Sequence, residues 1–219
     1  MKRFLIFIMV FMLNNLVFSN DFFQKGKEYY FSGNFEMAKL SFEKSLRQGF
    51  TNEELILMLG NSYMATGEIE KSISTFVKGL ELFSDKSWVF EFNLGYAYYV
   101  FKDYTNSFKY LSRVIESNPS FSKTYWFGGM ASLRMLDIDS TINLWERYLQ
   151  IDPNGEESDN IRKAIALLKD YGTNAIPEII ADLKGLSGID NVIEKIKNGY
   201  EIKQDKKTLE DTSFEGIEK

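Results

Sequence analysis

Leu59-Gly60-Asn61-Ser62-Tyr63 and Leu94-Gly95-Tyr96-Ala97-Tyr98 strike the same small-to-large beat, 35 residues apart. The beat is struck again upstream at Gly26 and Tyr29 and downstream at Gly129 and Ser132, so the glycines step by 34, 35 and 34 residues. A second pair keeps time with the first: Ala38 and Phe42, Ser72 and Phe76, Ser107 and Leu111, Thr141 and Trp145. Pro119 and Pro153 close the last two units. A sustained period of about 34 residues marks a helix–turn–helix array, in which each hairpin buries its apolar face only against its neighbours.

Within a unit the spacing is helical. Ile56, Leu59, Gly60 and Tyr63 fall on one face of a first helix, and Ser72, Phe76 and Leu80 on one face of a second. Gly67 stands between them, where the helix stops and the chain reverses. A glycine inside a helix costs about 0.5–1 kcal/mol relative to alanine, so its return in every unit argues for a steric need. Gly60 and Ser72 let the helices approach closely, and Tyr63 and Phe76 fill the space around that contact.

These residues resemble the tetratricopeptide repeat family. The likeness rests on Leu59-Gly60-x-x-Tyr63, Leu94-Gly95-x-x-Tyr98, Gly26-x-x-Tyr29, Ala38-x-x-x-Phe42, Ser72-x-x-x-Phe76, Asn118-Pro119 and Asp152-Pro153. It implies an all-α fold: a right-handed superhelical array of helix–turn–helix repeats with C-terminal capping helices. The repeats are expected at about 19–52, 53–86, 88–121 and 122–155, within a repeat region of 20–155. There are departures. One extra residue lies near Asp85-Lys86-Ser87, Phe50 and Ser84 stand where a closing proline would be, and Lys102 and Leu136 replace the turn glycine. The fourth unit has Gly128-Gly129 for Leu-Gly and Ser132 for the tyrosine.

Past Pro153 the period ends. Ser158 is placed to cap a helix carrying Ile161, Ile165 and Leu168, with Tyr171 near its end and Gly172 as the stop, a capping segment over 156–172. Two short helices are expected in 173–199, one starting at Pro177, the other carrying Ile189, Val192, Ile193 and Ile196 at i, i+3, i+4, i+7. Residues 200–219 are charged and without period, and read as a flexible tail. At the other end, Lys2 and Arg3 precede an apolar run from Phe4 to Leu13, and small Ser19 follows. That is the pattern of a secretory signal peptide over residues 1–19, cleaved before Asn20; a retained N-terminal anchor is the alternative.

Composition narrows the function. The 219-residue chain has no Cys and no His, so thiolate chemistry, His-ligated metals and His general bases are excluded. A formal charge of −5 argues against a nucleic-acid surface. No phosphate-binding glycine loop is present, and Gly128-Gly129 reads as close helix packing. The paired acids Glu53-Glu54, Asp137/Asp139 and Glu156-Glu157 lie near helix starts, where they favour the helix dipole. No enzyme, cofactor or metal is expected. The first-helix positions pointing away from the intra-repeat contact are Phe23, Lys27 and Tyr30; Leu57, Asn61 and Met64; Phe92, Tyr96 and Tyr99; and Trp126, Met130 and Leu133. An aromatic, apolar concave lining of this kind suits a protein or peptide segment as partner. The alternative is that the C-terminal stripe folds back and fills the groove. Some members of the family hold chaperone C-termini with a clamp of Lys, Arg and Asn; only Lys27 and Asn61 stand in such places here, and that activity is not carried over. The expected role is a non-catalytic interaction scaffold of the cell envelope or periplasm, or a membrane-anchored assembly factor if the N-terminal segment is retained. Membrane contact is expected only in that second case.

Overall fold

A computed structural model describes residues 21–84 and 87–171. Residues 1–19, the helices expected in 173–199 and the tail 200–219 lie outside them, as do Asp85, Lys86 and Gly172. The elements are α1 (residues 21–31), α2 (Phe35–Arg47), α3 (Glu53–Ala65), α4 (Ile69–Leu82), α5 (Ser87–Val100), α6 (Tyr104–Ser117), α7 (Ser122–Arg134), α8 (Ile138–Ile151) and α9 (Ser158–Tyr171). The all-α repeat architecture expected from the sequence is the one observed, with no strand among the described residues. Two compact units divide between Phe83 and Ser84: α1–α4 belong to one, α5–α9 to the other. No helix among the described residues is long and apolar enough to cross a membrane.

All four hairpin turns use one device. The residue after the first helix takes positive φ: Gly33 at 78°, Gly67 at 79°, Lys102 at 65° and Leu136 at 63°. The next N–H then donates back five residues: Asn34 to Tyr29 O, Glu68 to Tyr63 O, Asp103 to Tyr98 O and Asp137 to Ser132 O, each at 2.8–3.0 Å. That closes the first helix. In three turns the same residue opens the second helix, its side chain accepting from Met37 N, Asn106 N or Ser140 N. Glu68 makes no such cap, and its carboxylate pairs with Lys39 and Lys71 instead.

Lys102 and Leu136 therefore carry a strained backbone that glycine adopts freely. Leu136 is 48% exposed, so it loses little packing if removed. Leu136→Gly is expected to raise stability by about 1 kcal/mol. Thermal melts of the full chain check this, and an unchanged or lower midpoint counts against it.

Glycine and its large partner meet in every hairpin. A Cβ on Gly26 would lie 2.5 Å from the Phe42 ring and one on Gly95 2.6 Å from Leu111 Cγ. One on Gly60 would run into the Phe76 ring, and one on Gly129 into the Trp145 indole. Ala38, Ser72, Ser107 and Thr141 are fully buried beside these contacts. The fourth unit keeps the contact despite its altered sequence.

Phe50 takes the place of a closing proline by packing on Phe23, with ring centroids 5.1 Å apart. In the second unit Ile161, Ala164, Ile165 and Leu168 of α9 join the core around Trp145 and Tyr148. Ser158 differs from the expected cap. It is the first residue of α9, and its hydroxyl donates to Asp152 O at 2.7 Å, tying the start of α9 to the end of α8.

Candidate functional site

The first unit presents α1 and α3. Phe23 and Tyr30 are buried, and both rings pack on Phe42 of α2, at 6.1 and 6.5 Å. The Tyr30 hydroxyl accepts from Asn61 Nδ2 at 3.2 Å, and burial pushes its phenol well above the ordinary range. Lys27 pairs with Glu54 across the two helices at 2.5 Å and lies 5.5 Å from the centre of the Phe23 ring. Leu57 is buried, and Asn61 and Met64 are half-buried. The structure thus joins Lys27, Tyr30 and Asn61 into polar links between α1 and α3.

The second unit is denser. Phe92, Tyr96 and Tyr99 of α5 form an i, i+4, i+7 stripe. All three meet Phe127 of α7, at 6.0, 4.9 and 6.2 Å between ring centroids. Phe121 closes on Phe92 at 4.8 Å. Trp126 stacks on Trp145 at 5.7 Å, and Trp145 Nε1–H donates to Trp126 O at 3.3 Å. Met130 and Leu133 are buried in the same core cluster as both tryptophans. Of the twelve sequence-derived positions, Lys27, Asn61, Met64 and Tyr96 are half-buried and the other eight are buried. Phe127 is the position sequence reading passed over. Its signal was the stripe on α5, since three large rings in register need a large ring from the neighbouring first helix.

The ionisable side chains hold helices together. Lys39 of α2 reaches Glu36 and Glu68, and Glu68 also takes Lys71. Hydrogen bonds from these two lysines hold the Glu68 carboxyl down to about 2. Tyr63 OH donates to Glu43 at 2.7 Å, and burial first and Glu43 second raise its phenol. Glu91 is buried in α5, which raises its carboxyl, with Arg113 at 3.8 Å. Among the described residues, no group of three or more His, Cys, Asp or Glu is placed to hold a metal ion. A depression of about 460 Å³ lies against α2, α3 and α4, with Ile56, Leu59 and Tyr63 in its lining and Glu43, Arg47 and Lys78 among its polar groups.

Residues 22–48 and 53–86 match the tetratricopeptide repeat family model. No curated protein sequence matches the chain. Among solved structures, a MamA protein aligns at 21% identity over 84% of this chain and 96% of its own, with a TM-score of 0.63. MamA from Desulfovibrio magneticus RS-1 aligns at 15% identity over 77% and 94%, with a TM-score of 0.63. YrrB, described as a TPR protein with an unusual peptide-binding site, aligns at 17% identity over 73% and 87%, with a TM-score of 0.61. At such identities the likeness is one of fold. Two units thus match the tetratricopeptide repeat family model, and all four described hairpins, built on one glycine contact, share the fold of tetratricopeptide repeat structures.

Proposed function

We propose that the protein is a non-catalytic scaffold that docks an apolar or aromatic protein segment on the first-helix faces of its repeats. The observation that carries this is the aromatic stripe Phe92, Tyr96 and Tyr99 meeting Phe127, with Tyr96 half-buried and within reach of a partner. Large rigid side chains of this kind dominate recognition surfaces. Solenoid repeats use such faces for binding, and YrrB, of the same fold, is described as having a peptide-binding site. The carboxylates that face other helices are engaged in ion pairs and tyrosine hydrogen bonds, which favours a structural use for them. We place the protein in the cell envelope on the strength of its signal-like N-terminus.

A photo-crosslinker at Tyr96 in the full chain, irradiated in the native envelope, identifies the partner. Tyr96→Ala is then expected to weaken that partner's binding by about 1–2 kcal/mol, while Ser74→Ala on exposed α4 surface leaves it unchanged. Native affinity in both Tyr96→Ala and Met64→Ala would remove the first-helix faces from consideration. The anchored reading keeps one supporting observation: counted on past Asn14-Asn15 through Phe18, the N-terminal segment nearly reaches the length of a short span. A mature chain starting near Asn20, read by mass spectrometry, eliminates it.

A further inference from the structure

The hairpin that comes first among the described residues shows a flank that the next one hides. The depression against α2, α3 and α4 is lined by Glu43, Leu46 and Arg47 of α2 and by Ser74, Thr75 and Lys78 of α4. One period earlier, the places of Ser74, Thr75 and Lys78 fall to Leu40, Ser41 and Lys44 on α2. That flank of α2 is the one a preceding second helix would meet, and α1 is the first helix described. The first helices agree. Ile56, Leu59 and Tyr63 of α3 line the depression and are buried. Their counterparts on α1 are Phe22 and Tyr29, both half-buried, and Lys25, exposed. Lys44 Nζ lies 3.9 Å from the centre of the Phe22 ring, so α1 and α2 offer one surface.

What α2 shows there is apolar. Leu40 is 50% exposed and Met37 40%. The corresponding residues are Ser74 and Lys71 on α4, Lys109 and Asn106 on α6, and Asn143 and Ser140 on α8, all polar. The charges of α2 also differ. It carries an acid, Glu36, in its first turn and two bases, Lys44 and Arg47, in its last. In those turns α4 and α8 have an acid and no base, and α6 has neither. Acid-first and base-last charges suit the dipole of any helix. Met37 and Leu40 are therefore the residues that call for a partner, and the charges say which one. Glu36 and Lys44 stand four residues to either side of Leu40, about 6 Å each way along the helix. Glu36 pairs with Lys39 of its own helix at 2.8 Å and keeps 66% of its side chain exposed. A second α2 laid antiparallel, with a two-fold axis at Leu40, sets each Glu36 against the other copy's Lys44, and the two leucines meet between them. We propose that two copies of the chain associate through this face, α2 against α2. Such a contact is self-complementary, as a two-fold dimer requires, and the end charges fix its antiparallel register. It uses none of the twelve positions named for a protein segment.

Sedimentation of the full chain over a wide concentration range tests this, and a monomer–dimer equilibrium is expected. Leu40→Asp should raise the dissociation constant of the dimer more than about tenfold, because it places a charge at the centre of the contact. Lys109→Asp, at the matching place on α6, should leave it unchanged. Circular dichroism checks that each variant folds. Glu36→Lys and Lys44→Glu should each weaken the dimer, since either one sets like charges together across the two-fold axis. Mixed in equal amounts, the two variants should recover it as a heterodimer, because both cross-pairs are then opposite in charge. That recovery decides the matter even if Leu40→Asp does not fold. The chain has no cysteine, so Leu40→Cys should be joined to a second copy by a short bis-maleimide, and Ser74→Cys should not. A chain that stays monomeric at every concentration overturns the proposal and leaves the face to another occupant. A dimer indifferent to Leu40→Asp, or one that the mixture does not restore, overturns it as well and puts the contact elsewhere, the N-terminal apolar run included.

Discussion

Trp145→Ala lowers the unfolding free energy of the full chain by about 3–5 kcal/mol, the range for truncating a fully buried aromatic. The side chain is 0% exposed, and several parts of the fold lean on it. Its ring stacks on Trp126, its Nε1–H satisfies the Trp126 carbonyl, and its edge fills the space that Gly129 leaves open. Truncation removes the transfer free energy and opens a cavity, two losses of one sign. The damage should also spread. Ile161, Ile165 and Leu168 of α9 share the core with Trp145, and repeat proteins draw stability from nearest-neighbour interfaces. Proteases are therefore expected to cut first around α9 in the variant. Denaturant unfolding followed by circular dichroism measures the loss; a change below about 1 kcal/mol would mean that the site collapses to fill the hole.

How far such a contact could be read in advance depended on how local its cause was. The pairing of Gly60 with Phe76 and of Gly129 with Trp145 was legible because a helix glycine is costly and its recurrence demanded a reason. The turns were half legible. Gly67 announced the reversal, and Gly33 shares its positive φ, but Lys102 and Leu136 adopt it too, held there by the closing hydrogen bonds and the Asp103 and Asp137 caps. Inner faces were least legible. Periodicity says which way a residue points on its own helix, and not what a neighbouring helix brings. Phe23 and Tyr30 end against Phe42, and Tyr96 and Tyr99 end against Phe127, for reasons lodged in other helices. Ser158 shows the same limit: its type suggested a cap, and its hydroxyl went to Asp152 across a loop.

Gly128 and Gly129 offer the sharpest test of the steric reading, since they are neighbours on one helix with the same intrinsic propensity. A methyl on Gly128 would sit 3.4 Å from Leu144 Cδ1, an ordinary contact, so Gly128→Ala should stabilise by about 0.5–1 kcal/mol as the backbone entropy of glycine is removed. A methyl on Gly129 would enter the Trp145 indole. The indole has little freedom to retreat, being stacked on Trp126 and tied to its carbonyl, so Gly129→Ala should cost about 3 kcal/mol, the upper end for overpacking a core. The two alanines thus shift the unfolding midpoint in opposite directions. Combining Gly129→Ala with Trp145→Ala adds a further check, because the new methyl then faces a cavity instead of a ring. The double variant should lose clearly less than the sum of its parts, a coupling that only residues in direct contact show. Additive losses would mean that the glycine serves the helix backbone and that the fit between the two helices is not what keeps it there.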